Sequence, residues 1–174
     1  MDNKPSVVAV GAGRMGRGLA HVFAYAGHEV RLVDIKERDD ESYTELANSA
    51  MSDIRSTVSL MAQLGQIKSD DVDTILDRVS IYSLGQVKDA FTDVGFIFEA
   101  VPEVLKIKQD AFSIICEHTA ADAIIASTTS TMLVDELANL VSKPERFLNA
   151  HWLNPAFLIP LVELSIGTAT NSGV

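Results

Sequence analysis

Three glycines in the stretch Gly11-Ala12-Gly13-Arg14-Met15-Gly16 constrain this chain more than any other feature. They follow the short β-branched run Ser6–Val10. They open Arg14–Ala26, where Met15, Leu19, Val22 and Phe23 cluster on one helical face. A GxGxxG pattern alone is weak, but a strand before it and a helix after it supply the context that gives it meaning. In that context Gly11 makes a tight turn, Gly13 lets a pyrophosphate approach the backbone, and Gly16 lets the helix pack close to the strand. The free N–H groups at the helix start suit a diphosphate. A second strand, Glu29–Val33, ends at Asp34. A carboxylate about 20 residues beyond the glycines accepts hydrogen bonds from the adenosine ribose and repels the extra phosphate of NADP. NAD is therefore the expected cofactor, with Lys36 and Arg38 nearby keeping NADP as the lesser alternative.

Strands and helices alternate through most of the remaining chain. Tyr43 to Leu64 carries Tyr43, Ala47, Ala50, Ile54, Val58, Met61 and Leu64 at helical steps, with Gly65 as a stop. The spacing predicts a second helix at Asp70–Leu76, with Ser69 as its cap and an acidic first turn. The run Asp39-Asp40-Glu41 reads as a solvated helix start. Strands are expected at Val79–Tyr82, Val94–Phe98, Ala123–Ala126, Phe147–His151 and Pro160–Leu164, and helices at Leu105–His118 and Leu133–Leu140. Strands apolar on both faces and separated by helices imply a parallel sheet covered on both sides. The expected fold is α/β: a doubly wound, Rossmann-like, mostly parallel sheet with a helical hairpin inserted after the second strand.

Composition narrows the function. The 174 residues are 47% hydrophobic and 22% charged, which suits one globular domain. A net charge of -10 argues against nucleic acid or an anionic membrane as partner, since both need a basic face. The one cysteine, Cys116, excludes an internal disulfide and is expected in the core of a helix face; a reducing, cytoplasmic compartment fits. No basic start with a long apolar stretch marks a signal peptide, and no apolar run is long enough to span a membrane. His21, His28 and His118 are dispersed without ligand spacing, so no metal site is expected and surface or helix-end roles are.

In an open parallel sheet, ligands bind beyond the carboxyl ends of the strands. Three of those ends carry polar residues: Glu99-Ala100-Val101-Pro102-Glu103, Ser127-Thr128-Thr129-Ser130-Thr131, and His151 followed by Asn154-Pro155. These should converge with the glycine loop on one rim. Glu163 interrupts an apolar run, where a carboxylate is costly unless partnered, and His151 is the natural partner. Such a pair orients the ring for general acid–base work. On the residues alone, ordinary structural hydrogen bonding by His151 is the simpler account.

At these residues the chain resembles the 3-hydroxyacyl-CoA dehydrogenase family, specifically its N-terminal NAD-binding domain. Four ordered blocks carry the resemblance: Gly11 to Gly16, Ile97 to Glu103 with Lys108 beyond it, Ser127 to Ser130, and His151-Trp152-Leu153-Asn154-Pro155 through Leu161-Val162-Glu163. It is weakest between Arg38 and Asp93. It implies an NAD-dependent oxidoreductase that oxidises a secondary hydroxyl to a ketone. His151 would be the general base and Glu163 its support. Ser130 would bond the reacting oxygen, and Asn154 would position substrate and nicotinamide. Gly11, Gly13, Arg14, Met15, Gly16, Asp34, Ala100, Val101, Glu103, Lys108 and Ser130 would bind the cofactor. The blander alternatives are that Ser130 caps the following helix and that Glu103 and Lys108 are solvated helix residues.

The family's acyl-CoA enzymes use basic residues in the hairpin after the second strand, where this chain offers Arg55 and Lys68. The substrate implied is an acyl-CoA or, as in sister branches, a small hydroxy acid of the gulonate, carnitine or pyridine-derived type. A non-catalytic NAD-binding module is a further alternative. The resemblance also implies a C-terminal helical domain that completes the cleft and forms a homodimer. Residues 1–164 then read as the NAD-binding domain and residues 165–174 as the start of a linker to a domain that this chain lacks.

Overall fold

The computed structural model describes residues 4–159 and 161–174. Its strands are β1 (Ser6–Val10), β2 (Val30–Val33), β3 (Val79–Tyr82), β4 (Val94–Glu99), β5 (Ile124–Ser127), β6 (Phe147–Trp152) and β7 (Val162–Ile166). They form one sheet in the order β3-β2-β1-β4-β5-β6-β7. The first six pair in parallel, and β7 runs antiparallel to β6. Helices α1 (Arg14–Tyr25), α2 (Asp40–Gln63), α3 (Asp71–Leu76), α4 (Val87–Ala90), α5 (Leu105–His118) and α6 (Val134–Ala138) flank it.

The alternation of side chains along a strand divides the core in two. Val7 and Ala9 of β1 join Leu19, Ala20 and Ala24 of α1 and Ala50, Ile54 and Val58 of α2. Val8 and Val10 join Phe112 and Ile115 of α5 and Leu137 of α6. All four β1 residues are fully buried, so the doubly wound expectation holds. Each valine, leucine or isoleucine among them contributes roughly 1.5–3 kcal/mol on burial. The strand order reverses between β1 and β4, which opens a crevice above their carboxyl ends.

The acidic run Asp39-Asp40-Glu41 opens helix α2 as expected: Asp39 accepts a bond from the Ser42 amide at 2.7 Å, and Asp40 and Glu41 fill the first turn. Several other local expectations change. Ser69 does not cap α3, which starts at Asp71 after Asp70, without a side-chain cap. A 3-10 turn at Leu84–Gln86 and the four-residue α4 were invisible to periodicity, since neither is long enough to repeat. The helix expected over Leu133–Leu140 is confined to Val134–Ala138. Strand β7 continues to Ile166, past the expected end of the domain. Beyond it, the Thr168 amide donates to Asp135 and the Thr170 hydroxyl to the Phe147 carbonyl, each at 2.7 Å. Pro160, the expected start of that strand, lies outside the described residues. Among the described residues no helix is long and apolar enough to cross a membrane.

Candidate cofactor and active site

The glycine loop is shaped by what a side chain would meet there. Gly11 has φ +110°, and a Cβ on it would sit 2.8 Å from the Ala100 carbonyl oxygen. A Cβ on Gly16 would lie 1.9 Å from the Gly11 carbonyl oxygen, so α1 packs on the loop only because that atom is missing. A Cβ on Gly13 would meet nothing within 4 Å, which leaves an open seat beside the N-terminus of α1. Arg17 braces the loop by donating to the Ala12 carbonyl at 3.0 Å, and its guanidinium also pairs with Asp53 of α2.

Asp34 is buried at the end of β2, where its carboxylate accepts a bond from Arg38 Nε at 2.5 Å. Tyr43 donates to the Ile81 carbonyl at 2.9 Å, and its phenol is pushed up from the ordinary value, chiefly by burial and then by the charge of Asp34.

At the ends of β4 and β5 lies a buried network that the sequence did not announce. Glu99 is 0% exposed. It accepts from Val101 N at 2.9 Å, from Ser127 Oγ at 2.6 Å, and from Lys108 Nζ at 2.9 and 2.8 Å through its two oxygens. Lys108 is equally sealed, so it is not the solvated helix residue of the blander alternative. Its Nζ lies 3.8 Å from Glu103, which lines the cleft. Glu103 in turn accepts from the Ser130 amide at 2.9 Å and the Thr129 hydroxyl at 2.8 Å. Thr129 Oγ1, and not Ser130, accepts from the amides that lead toward α6, those of Thr131 at 3.3 Å and Met132 at 3.1 Å. The signal for Glu99 was an acid closing an otherwise apolar strand, costly to bury without a partner.

His151 and Glu163 are direct cross-strand partners of β6 and β7, with Nδ1 and Oε2 2.8 Å apart. Because a carboxylate only accepts, Nδ1 carries the proton, and in the neutral ring Nε2 is left with a free lone pair. The cleft of about 1080 Å³ above the sheet is lined by Gly11, Gly13, Arg14, Met15, Asp34, Ala100, Val101, Glu103, Ser130, His151 and Asn154. The strand ends thus meet the glycine loop on one rim. His21, expected at a surface or a helix end, is instead buried in mid-helix, with its ring edge-on to Phe157. Cys116 is half-buried, and its sulfur accepts from the Ser142 amide at 3.3 Å.

The open seat at Gly13, the unpaired N–H groups at the start of α1 and the buried acid at the end of β2 fit a dinucleotide. Comparison with known proteins agrees. The family model for the 3-hydroxyacyl-CoA dehydrogenase NAD binding domain matches residues 6–174. A 3-hydroxybutyryl-CoA dehydrogenase of Bradyrhizobium diazoefficiens is 31% identical over 95% of this chain and 53% of its own length. A 5-formyl-3-hydroxy-2-methylpyridine 4-carboxylate 5-dehydrogenase of Mesorhizobium japonicum is 29% identical over 95% of this chain and 50% of its own. The crystal structure of (S)-3-hydroxybutyryl-CoA dehydrogenase from Ralstonia eutropha superposes with a TM-score of 0.86 at 27% identity, covering 97% of this chain and 56% of that one. The chain spans about half the length of the curated relatives it matches. With the glycine loop, the acid after β2 and the matched sheet all in agreement, the chain belongs to the 3-hydroxyacyl-CoA dehydrogenase family and carries its NAD-binding domain.

Proposed function

We propose that the protein is an NAD-dependent oxidoreductase that oxidises the secondary hydroxyl of a 3-hydroxyacyl-CoA to a ketone, with His151 as general base. The observation that carries this is the 2.8 Å contact of His151 with Glu163, with the ring on the wall of the glycine-loop cleft. The Nε2 lone pair takes the hydroxyl proton, and Glu163 stabilises the imidazolium that results. When bound, the nicotinamide supplies the hydride acceptor. Ser130 donates to the reacting oxygen, and its backbone is held for that task by Glu103. Asn154, on the lining of the same cleft, orients the substrate. In the full-length protein, His151→Ala is expected to lower kcat by roughly 10²–10⁴-fold while NADH still binds. An undiminished rate, followed as NADH absorbance with 3-hydroxyacyl-CoAs of several chain lengths, overturns the assignment.

A second reading has a small hydroxy acid in place of the acyl-CoA. Helix α2 favours it. That helix carries Asp40, Glu41, Glu45 and Asp53 against a single Arg55, which is already paired with Asp73 at 2.8 Å. A phosphorylated CoA arm finds little free positive charge there. Turnover of a hydroxy acid with none of any 3-hydroxyacyl-CoA selects this branch.

A further inference from the structure

The end of β2 carries two devices that usually occur apart. A carboxylate in this position accepts hydrogen bonds from the adenosine ribose of NAD, whereas a nearby arginine accommodates the 2′-phosphate of NADP. Here both are present and bonded to each other: Arg38 Nε lies 2.5 Å from Asp34 Oδ2. The acid side chain is 9% exposed and the arginine 25%. Both line the glycine-loop cleft together with Lys36.

We propose that Arg38 is a specificity-determining residue: a ligand for the 2′-phosphate of NADP that Asp34 keeps out of use. The inference rests on the cleft being the NAD site. Asp34 acts twice. It neutralises Arg38, and it presents its own charge to the incoming phosphate. NAD meets neither obstacle, because a carboxylate has about four acceptor positions and still has room for ribose hydroxyls while it holds Arg38. With that carboxylate gone, the guanidinium fork is free to grip a phosphate through paired N–H bonds, and Lys36 adds a second positive charge. Glu37, Asp39 and Asp40 oppose this from the adjoining hollow rather than from the cleft. Asp39 is already engaged with the Ser42 amide.

The test is a titration of NADH and NADPH into the 174-residue chain, followed by nicotinamide fluorescence, and it needs no turnover. The intact chain is expected to prefer NADH by roughly tenfold or more. Asp34→Ser is expected to gain roughly tenfold in NADPH affinity while losing NADH affinity. Adding Arg38→Ala to that variant removes the gain. Asp34→Asn, nearly isosteric, repeats the comparison with the least disturbance to the buried site. The proposal is overturned if neither Asp34 variant gains affinity for NADPH, or if the gain survives loss of Arg38. An intact chain that binds neither nucleotide overturns the cofactor reading itself. One that binds NADH but whose variants do not reorder overturns only the role of Arg38.

Discussion

Glu99 and Lys108 are sealed from solvent together, and neither is tolerable alone. Replacing Glu99 with Leu leaves a buried ammonium without a carboxylate, and is expected to lower stability by about 3–5 kcal/mol in urea denaturation. Converting Lys108 to Met in the same chain is expected to restore most of the loss, because apolar replacement of a whole buried pair is often neutral. His21 supplies a pH test. Its Nδ1 lies 3.1 Å from the Arg17 carbonyl, which only accepts, so Nδ1 carries the proton. Burial lowers its pKa to about 4, against a small opposing effect of that bond. The unfolded state therefore binds the extra proton first. Stability is complete above about pH 6.5 and falls as pH drops toward 4, by about 3 kcal/mol in all. His21→Gln should flatten that part of the profile relative to the parent. A parent profile equally flat would show that the ring is not buried as described. Sequence spacing showed neither the Glu99–Lys108 pairing nor the burial of His21, because spacing reports what repeats along a helix and not what lies across from it.

The phosphate loop shows how far single elements were legible. Its strand–turn–helix context was plain, because each glycine answers a different steric demand. The second and third glycines should separate cleanly on mutation. Gly16→Ala forces a methyl against the Gly11 carbonyl, which is backbone and cannot swing away, so both stability and NADH affinity should fall. Gly13→Ala finds open space, and its φ of -80° suits any residue. Its folded stability should stay within about 1 kcal/mol while NADH binding is lost, because the methyl fills the pyrophosphate seat. Thermal melts with and without NADH distinguish the two. Elsewhere, long periodic helices such as α2 were readable apart from their capped ends. The short α4 was not, because four residues make barely one turn.

For the molecule as a whole, the reversal of strand order between β1 and β4 gathers chemistry from distant parts of the chain. That convergence followed from the sequence, because apolar strands separated by helices allow few arrangements other than a covered parallel sheet. The grip of Arg38 on Asp34 did not follow, since two nearby opposite charges give no sign of whether they touch. Binding that favours only the folded state should appear globally. NADH at 100 times its Kd adds about 2.7 kcal/mol, which for a chain of this size raises Tm by roughly 5–10 °C. No shift at that excess would mean that the cleft does not hold the cofactor.

The reversed direction of β7 has a consequence for how the molecule tolerates change. The backbone ladder, in which Leu148 faces Ile166 and Trp152 faces Val162, brings His151 and Glu163 together, and the residues joining the two strands do not. Extra residues inserted after Ile159 should therefore leave the contact intact. One extra residue inside β7, between Glu163 and Ile166, turns the carboxylate to the opposite face of the sheet. The connection can lengthen after Ile159, provided the ladder on either side keeps its count.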